Sequence, residues 1–453
     1  MDHGKNRPTS LEIAVNESKS FSKSRAMSEK AHRLIPGGAH TYAKGDDQYP
    51  EQAPGFIVRG KGCHVWDVDG NEFIEYGMGL RAVTLGHGFE PVVEAAYRQM
   101  QAGANFNRPA TIEVELAEAM LQLIDGADMV KFAKNGSDVT TAAVKLARAY
   151  TGRDLVAICG DQPFFSTDDW FIGTTEVNAG IPDAISRLTL KFRYNDLADL
   201  QALFEQYPGQ IACVLMEAEA VTPPAPGYLQ GIKDLCEKQG AVLVFDEMIT
   251  GFRWHIGGAQ RFHGVVPHLS TFGKAMGNGF AIAALAGKRE TLRLGGLEHD
   301  QPRVFLLSTT HGAETHALAA SLETIRIHRE RDVIDFLWRQ GERLRKGINQ
   351  VAEGHGLGGY FEVIGRPCNL VYQTNDRQGK PSQAFRTLFL QEMIRGGILA
   401  PSFVVSYSHS NEDIDRTIDA VDQALSVYAR ALAEGVNRHL VGRAVKPVNR
   451  RYC

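Results

Sequence analysis

The amino-acid sequence predicts an α/β fold in which a large domain with a central, mainly parallel sheet is followed by a smaller α+β lobe. Short apolar runs such as LVAIC (155–159), IACVLME (211–217) and AVLVFDEM (241–248) alternate with amphipathic segments such as YLQGIKDLCEKQG. Near-continuous apolar strands separated by helices are typical of a parallel sheet covered on both faces. After residue 330 the pattern changes to long helices with few strands, which indicates the separate lobe.

The length and the changes of pattern predict four parts of the chain. At 453 residues the chain is too long for one ordinary core. We expect an N-terminal arm and small-lobe segment (1–95), a large domain (96–334), a C-terminal small α+β domain (335–435) and a tail (436–453). Within the first part, HVWDVDGNEFIEY predicts two strands joined at Asp69-Gly70, a dipeptide that favours tight hairpin turns. The same stretch lacks the further acidic positions of a calcium loop.

Composition and charge exclude several classes of partner. The net charge of −4 offers no broad basic face for nucleic acid and no polybasic patch for a membrane. The six cysteines are scattered without a C-x-x-C pair, which argues against a disulfide framework and a zinc site and favours a reducing cytoplasm. The N-terminus lacks the apolar core of a signal peptide, and no apolar run approaches membrane-spanning length.

Three strand endings carry the candidate chemistry, because ligands of parallel α/β sheets bind beyond the carboxyl ends of the strands. The first is KNGSD (134–138), where a strand gives way to a helix near Ser137. Unpaired backbone N–H groups and the positive end of the helix dipole favour an anion there, and Gly136 permits close approach of a phosphate. An ordinary helix cap is the alternative interpretation.

The second strand ending is Asp246, which follows four apolar residues in VLVFDEM. A carboxylate in that setting needs a cationic or hydrogen-bonding partner to offset its desolvation. A helix cap, a structural ion pair and a magnesium ligand are alternatives at this point.

The third strand ending is Lys274 in STFGKAMGNGF, whose neighbours Thr271 to Met276 carry no charge. Most lysines are solvated surface groups, but a secluded lysine has a lowered pKa and becomes a nucleophile toward carbonyls. Together the phosphate-ready turn, the buried carboxylate and this lysine fit pyridoxal 5'-phosphate (PLP). Its phosphate requires a helix terminus, its pyridine nitrogen a carboxylate and its aldehyde a lysine.

The motifs that carry these residues resemble those of the class III (omega) aminotransferases. The resemblance rests on LVFDEMITGFR (243–253) and STFGKAMGNG (270–279). PGGAHTYAKGD, DVDGNEFIEYGMGLRAVTLGHG, LARAYTGRD and GGAQRFHGVVP place the sequence nearest the glutamate-1-semialdehyde 2,1-aminomutases and their relatives. The resemblance implies the type I PLP-dependent transferase fold and a homodimer with active sites at the interface.

The same resemblance implies roles for individual residues. Lys274 matches the Schiff-base lysine that also moves protons, and Asp246 matches the partner of the pyridine nitrogen. The remaining cofactor contacts implied by the motifs are Gly136 and Ser137 at the phosphate, Met248 where the family usually has valine against the ring, Glu217 near the cofactor, and Thr309 reaching the phosphate from the partner subunit.

Three departures from the family pattern fall in the ring and substrate regions. The family's ring-stacking tyrosine is replaced in the segment Phe164-Phe165-Ser166, where we assign stacking to Phe164; two core phenylalanines are the alternative. Lys44 stands where the aminomutase has a carboxylate-holding arginine, so the charge is kept without the bidentate fork. The segment between Pro401-Ser402 and His409 is shorter than in the aminomutase and lacks its acidic residue.

These observations predict a PLP-dependent aminotransferase that moves an amino group from a donor to an aldehyde or ketone acceptor in a biosynthetic pathway. The altered anchors favour an aminotransferase over the alternative, a glutamate-1-semialdehyde 2,1-aminomutase that forms 5-aminolevulinate. A PLP-binding regulatory protein is the non-enzyme alternative. An NAD-dependent enzyme is disfavoured because GNGFAI has no third glycine. The spacing of His255, His263 and His268 matches no common zinc pattern, and we expect no metal.

Overall fold

A computed structural model describes residues 19–452 of the chain. The strands are β1 (Ile57–Lys61), β2 (His64–Asp67), β3 (Glu72–Glu75), β4 (Met129–Ala133), β5 (Leu155–Cys159), β6 (Thr189–Phe192), β7 (Ile211–Met216), β8 (Val242–Asp246), β9 (Leu269–Phe272), β10 (Ala283–Gly287), β11 (Phe361–Ile364), β12 (Val371–Thr374) and β13 (Ile398–Leu399). The helices are α1 (Ser22–Leu34), α2 (Met78–Arg81), α3 (Glu90–Ala102), α4 (Thr111–Leu121), α5 (Gly136–Thr151), α6 (Asp169–Ile172), α7 (Asp183–Ser186), α8 (Leu197–Gln206), α9 (Tyr228–Gln239), α10 (Gly258–His263), α11 (Arg289–Leu292), α12 (Thr315–Glu330), α13 (Val333–Gly354), α14 (Gln383–Arg395) and α15 (Asn411–Glu434).

A seven-stranded sheet with the order β4-β10-β9-β8-β7-β5-β6 forms the centre of the molecule. Strands β6, β5, β7, β8 and β9 pair in parallel, whereas β10 runs antiparallel to both of its neighbours. Every residue of β7, β8, β9 and β10 is buried, which explains why these strands lack polar alternation in the sequence. The predicted α/β class with a mainly parallel sheet is confirmed.

A second sheet, with the order β1-β2-β3-β13, joins distant parts of the chain. Strands β2 and β3 form the predicted hairpin, with Gly70 at a φ of 94° in the turn. Strand β13 pairs in parallel with β3, so a C-terminal strand completes a sheet begun before residue 76. The N-terminal and C-terminal segments therefore share one structure, although the predicted domain boundaries themselves stay a prediction.

The C-terminal lobe contains the two longest helices, α13 and α15, which pack on each other beside the β11-β12 pair. Helix α15 begins with a capping box in which Asp413 Oδ2 accepts from Ser410 N over 2.9 Å, as a helix start requires. Five cysteines are buried free thiols, and Cys453 and residues 1–18 lie outside the described residues. No described helix has the length and apolar composition that crossing a bilayer requires.

Candidate active site

A cavity of about 290 Å³ lies where several strands of the central sheet end. Apart from Ala82, which follows α2, the lining residues come from the ends of β4, β5, β7, β8 and β9 or the segments after them, as expected for a ligand site of an open α/β sheet. The lining is formed by Ala82, Lys134, Asn135, Gly136, Pro163, Phe164, Phe165, Glu217, Asp246, Met248, Ile249, Lys274, Gly279, Phe280, Ala281 and Ile282. Six residues predicted from the sequence are thus brought together: Gly136, Phe164, Glu217, Asp246, Met248 and Lys274.

Lys274 opens the turn that follows β9 and contributes to the cavity wall. Its backbone has a φ of 44°, a left-handed conformation that a lysine rarely adopts and that often marks functional sites. Burial lowers the pKa of the Lys274 amine, while the negative charges of Asp246 and Glu217 oppose that shift. The amine is therefore secluded, as predicted, and its neutral nucleophilic form is favoured relative to a surface lysine.

Asp246 ends β8 and is only 3% exposed. One carboxylate oxygen, Oδ1, accepts from Met248 N over 3.0 Å and from Thr271 Oγ1 over 3.1 Å. Within residues 19–452 no donor reaches the other oxygen, Oδ2, although the residue borders the cavity. Burial raises the pKa of the Asp246 carboxyl, and the charge of Lys274 together with the two hydrogen bonds opposes this. One oxygen is fixed and the other is available to a donor in the cavity.

Glu217 follows β7 and is 6% exposed, at the same wall of the cavity. The buried side chain of Gln162 fixes its backbone, because Gln162 Oε1 accepts from Glu217 N over 2.8 Å and Gln162 Nε2 donates to Glu217 O over 2.7 Å. Burial and the neighbouring charge of Asp246 raise the pKa of the Glu217 carboxyl to about 8. Burial thus favours the protonated form of Glu217, which can donate a hydrogen bond.

The start of α5 forms the floor of the cavity beside Met248. The first N–H groups of a helix have no partner within the helix, and α5 begins at Gly136. A Cβ built on Gly136 would lie 2.9 Å from the Met248 sulfur, so a larger residue would require the Met248 side chain to move. Ser137, in the first turn, accepts from Thr167 N through its hydroxyl over 3.0 Å. The helix terminus is therefore open to an anion in the cavity.

Phe164 and Phe165 take different positions in the segment after β5. Phe164 is 51% exposed and lines the cavity, with its ring edge-on to Phe171 at a centroid distance of 5.6 Å. Phe165 is 2% exposed and packs in the core against Phe171. The ring of Phe164 is available to a planar ligand, whereas that of Phe165 is engaged by the core. The assignment of stacking to Phe164 stays a prediction.

Three predicted site residues lie outside the lining of this cavity. Ser137 lies in the first turn of α5, behind Gly136. Thr309 lies on an exposed segment before α12. Lys44 lies in an exposed short turn near the N-terminus. Their predicted roles stay predictions.

Sequence reasoning missed four residues that shape the site, namely Thr271, Gln162, Lys134 and Arg81. Lys134 lines the cavity and forms an ion pair with Glu314, whose Oε1 also accepts from His311 Nδ1 over 2.9 Å. Arg81 lies beside Ala82, with its Nε donating to Asn369 Oδ1 over 2.8 Å. The charge of Lys134 in KNGSD was a visible signal, whereas the other three act only through tertiary contacts.

The three histidines weighed for metal binding each have a separate structural partner. His255 Nδ1 accepts from Gly257 N over 3.0 Å, and His268 Nδ1 accepts from Leu243 N over 2.9 Å. His263 pairs with the buried Glu219 over 2.8 Å. Hydrogen-bonded histidines are what the sequence favoured.

Comparison with known proteins gives one consistent result. The family model of the class-III aminotransferases matches residues 47–359. A glutamate-1-semialdehyde 2,1-aminomutase of Desulforamulus reducens is 31% identical over 433 residues, which cover 91% of this chain and 99% of that protein. The FumI protein of Sphingopyxis sp. MTA144, solved in its PLP internal aldimine form, is 27% identical with a TM-score of 0.84 and covers 91% of this chain and 98% of its own. An omega-transaminase from Sphaerobacter thermophilus is 26% identical with a TM-score of 0.80, over 90% of this chain and 98% of its own.

Proposed function

The chain belongs to the class-III aminotransferases, and we propose that it moves an amino group from an amino donor to an aldehyde or ketone acceptor in a biosynthetic pathway. It is an enzyme of the type I PLP-dependent transferase fold. The observation that supports the proposed reaction best is the convergence of Lys274, Asp246 and the start of α5 on one cavity. These are the three contacts that PLP chemistry requires.

The residues of the cavity fit PLP by two tests. Asp246 Oδ2 lacks a donor within the described residues, which leaves it available to the protonated pyridine nitrogen. Helix α5 begins at Gly136 in the cavity wall, and the first N–H groups of the helix, which lack partners within it, can receive the phosphate. When bound, PLP supplies an aldehyde for the substrate amine and a ring that withdraws electrons from the neighbouring carbon.

Each residue then has a defined task. With PLP bound, Lys274 would hold the aldehyde through Nζ, and the same amine, once displaced by a donor amine, would take and return a proton at the substrate carbon. Asp246 Oδ2 would keep the ring nitrogen protonated, and the hydrogen bonds from Thr271 and Met248 N to Oδ1 favour the ionised carboxylate. Gly136 and Ser137 would hold the phosphate, Met248 and Phe164 would contact the ring, and Glu217 would donate a hydrogen bond.

The visible spectrum of the protein with excess PLP, before and after borohydride reduction, tests the attachment. We expect a protein-linked chromophore in the wild type and in Lys238→Ala, a control on the exposed face of α9. The Lys274→Ala variant should give none. If Lys274→Ala still gave a reducible, protein-linked chromophore, the assignment would be wrong.

A screen of donors and acceptors, followed by the change in cofactor absorbance, tests the reaction. Conversion of the bound cofactor by an amino donor and its recovery by an aldehyde or ketone would support the aminotransferase. A protein that reacts with no donor of a broad panel would be a PLP-binding regulatory protein instead.

Glutamate-1-semialdehyde 2,1-aminomutase is the second candidate, favoured by the similarity of the whole chain to the Desulforamulus reducens protein. Only a mutase should form 5-aminolevulinate from glutamate 1-semialdehyde supplied without another donor or acceptor. Product analysis under that condition separates the two activities.

We also propose a cytoplasmic homodimer in which Thr309 reaches the phosphate of the partner subunit. Its exposed position, outside the cavity of its own chain, supports a role in another subunit. Light scattering of the purified protein should give twice the mass of the chain, and a monomer would contradict the proposal. The buried free thiols suit a reducing compartment, and cell fractionation that recovers the protein outside the cytoplasm would contradict that location.

A further inference from the structure

Arg81 lies on a turn with an unusual backbone. The residues Met78, Leu80 and Arg81 have φ angles of 43°, 57° and 72°, and Gly79 between them has 61°. Non-glycine residues in the left-handed region carry a conformational cost, and such strain persists where surrounding contacts impose it. Four consecutive residues in this state place the Arg81 side chain in a direction that an ordinary helical turn would not give.

Surrounding contacts fix this turn from three sides. The buried Glu75 accepts from Met78 N at the start of the turn, over 2.7 Å. Arg253, which is fully buried, donates through Nη2 to the Arg81 carbonyl oxygen over 2.7 Å. Asn278, four residues after Lys274, accepts from Thr84 N and Leu85 N over 3.0 Å and 2.8 Å. Asn278 therefore connects the residues that follow this turn directly to the segment that carries Lys274.

The guanidinium of Arg81 is held on one side and open on the other. Its Nε donates to Asn369 Oδ1 over 2.8 Å. Its two terminal nitrogens have no partner in the described part of the chain, and both are accessible to solvent. Lys134 differs, because Glu314 already pairs with its charge. Arg81 thus has a preorganised pair of donors without a protein acceptor.

Arg81 is not itself among the residues that line the cavity, but it lies close enough to influence the charges of Glu217 and Lys274. Its neighbour Ala82 lines the cavity together with Lys274 and Glu217. Its charge opposes the rise in the pKa of Glu217 that burial causes, and adds to the fall in the pKa of Lys274 that burial causes. Among the described residues Arg81 forms no ion pair with a carboxylate, and Glu217 only partly opposes the fall in the pKa of Arg81 that burial causes.

We propose that Arg81 binds the carboxylate of the amino substrate and thereby selects amino acids over simple amines. This inference rests on the proposed aminotransferase function. A planar guanidinium with two parallel donors matches a carboxylate in bidentate geometry, and a buried site strengthens that pairing. Asn369, Arg253 and Glu75 act as positioning residues that aim the two donors.

Pairs of donors that differ only in the carboxylate test the proposal on the PLP-loaded enzyme. L-alanine with isopropylamine and 4-aminobutyrate with propylamine are two such pairs. For Arg81→Gln we expect kcat/KM for the amino acids to fall at least about 30-fold, as for loss of a buried charge partner, with little change for the amines. Arg81→Lys should fall between Arg81→Gln and wild type, because it keeps the charge and loses the fork. Arg187→Gln, whose side chain is 81% exposed, is the matched control and should behave as wild type.

Several outcomes would overturn the proposal. Equal losses for amino acids and amines in Arg81→Gln would make Arg81 a structural residue only. A wild-type enzyme that prefers amines lacking a carboxylate would also exclude it. If the wild type reacted with no donor, the proposed function would fail, and binding of propionate and butyrate by calorimetry would then decide on Arg81. Those carboxylates should bind at least about tenfold more weakly to Arg81→Gln; unchanged binding would refute the role.

Discussion

Asp246 and Thr271 are register partners on the parallel strands β8 and β9, and the Thr271 hydroxyl donates to Asp246 Oδ1 over 3.1 Å. The threonine is fully buried, so this hydrogen bond has no competition from water. It engages Oδ1 and leaves Oδ2 without a donor among the described residues. The register of two core strands therefore orients the carboxylate on which the chemistry of the ring depends.

Replacing Thr271 by valine should weaken cofactor binding without changing the shape of the core. Valine matches threonine in volume but cannot donate, so the pKa of Asp246, already raised by burial, should rise further. Loss of a hydrogen bond to a charged group costs about 1.5 to 3 kcal/mol, so PLP affinity should fall by about tenfold or more. Equilibrium titration of the cofactor-free protein with PLP measures this change.

Thr291→Val is the matched control for this prediction. Thr291 is also fully buried, but its hydroxyl has no hydrogen-bond partner among the described residues. Removing an unpaired buried hydroxyl should leave stability unchanged or increase it, and PLP affinity should not move. Equal effects of the two substitutions on PLP affinity would show that the Thr271 hydroxyl does not act through Asp246.

The sequence could identify Lys274 and Asp246 because each ends a recognisable apolar strand and belongs to a specific motif. It could not identify Thr271, whose role depends on which strand lies beside β8 and in which register. The sequence could not identify Arg81 for a similar reason. The direction of its side chain depends on a left-handed turn that contacts with the distant residues Arg253 and Asn278 stabilise.

In the fold, too, local sequence predicts the strands and the hairpin, whereas strand direction and long-range pairing depend on distant parts of the chain. The apolar runs predicted buried strands, and the Asp69-Gly70 turn predicted the hairpin of β2 and β3. Nothing local in IAALAG distinguishes β10, the antiparallel strand, from its parallel neighbours. The pairing of β13 with β3 joins residues more than three hundred positions apart and has no sequence signal of its own.

A methyl group at Gly136 should disturb the start of α5 through Met248. In Gly136→Ala the new Cβ would meet the Met248 sulfur at 2.9 Å, so the Met248 side chain, which lines the cavity, would have to move. We expect PLP affinity to fall by about tenfold, since overpacking of this kind costs about 1 to 3 kcal/mol. The second change Met248→Val removes the sulfur and should restore most of the loss.

Gly354→Ala is the corresponding control. It lies at the end of α13, where an added Cβ meets nothing within 4 Å. Alanine should raise helix stability by up to about 1 kcal/mol and leave PLP affinity unchanged. If Met248→Val failed to rescue Gly136→Ala, the methyl would be blocking the phosphate itself rather than moving Met248.

The buried carboxyl of Glu217 should make stability depend on pH. Burial raises its pKa from the ordinary 4.5 to about 8, so the folded state holds this proton more tightly than the unfolded chain does. The favourable contribution is complete below about pH 4.5 and is lost as the pH rises toward 8. Glu217→Gln cannot ionise, so between pH 5 and pH 9 it should lose less stability than the wild type, by on the order of 1 to 3 kcal/mol.

Urea denaturation of the cofactor-free protein at several pH values measures this difference. Glu353→Gln, on the exposed face of α13, is the control and should follow the wild type throughout. A wild type and a Glu217→Gln variant with parallel pH profiles would show that Glu217 ionises in the folded state as it does in water.

Hybrid dimers should reveal whether Thr309 acts on the partner subunit. When Lys274→Ala and Thr309→Ala subunits are combined, one site keeps the lysine of one chain and receives Thr309 from the other. That site should regain turnover and bind PLP with wild-type affinity. Combining Lys274→Ala with Gly136→Ala is the control, because both residues lie in the cavity of one chain and no intact site results. Failure of the Lys274→Ala and Thr309→Ala hybrid to recover would place Thr309 in its own subunit's site.

The ion pair between Arg366 and Glu219 should hold the C-terminal lobe to the central sheet. Glu219, just after β7, is fully buried, and it accepts from Arg366 Nε over 2.5 Å and Nη2 over 3.1 Å. Arg366 immediately precedes the turn that carries Asn369, the partner of Arg81. Arg366→Met removes the guanidinium, which also lies over the Phe262 ring, and leaves the carboxylate with His263 alone. Breaking a buried pair by removing one partner costs about 3 to 5 kcal/mol, which urea denaturation should detect.

A surface pair separates this effect from the loss of any arginine. Arg343 pairs with Asp415 over 2.6 Å, but both side chains are exposed, so Arg343→Met should cost less than about 1 kcal/mol. If both variants lost the same small amount of stability, the ion pair between Arg366 and Glu219 would not hold the lobe to the sheet. A large loss of stability confined to Arg366→Met, together with weakened binding of amino acids and unchanged binding of amines, would show that lobe packing positions Arg81 through Asn369.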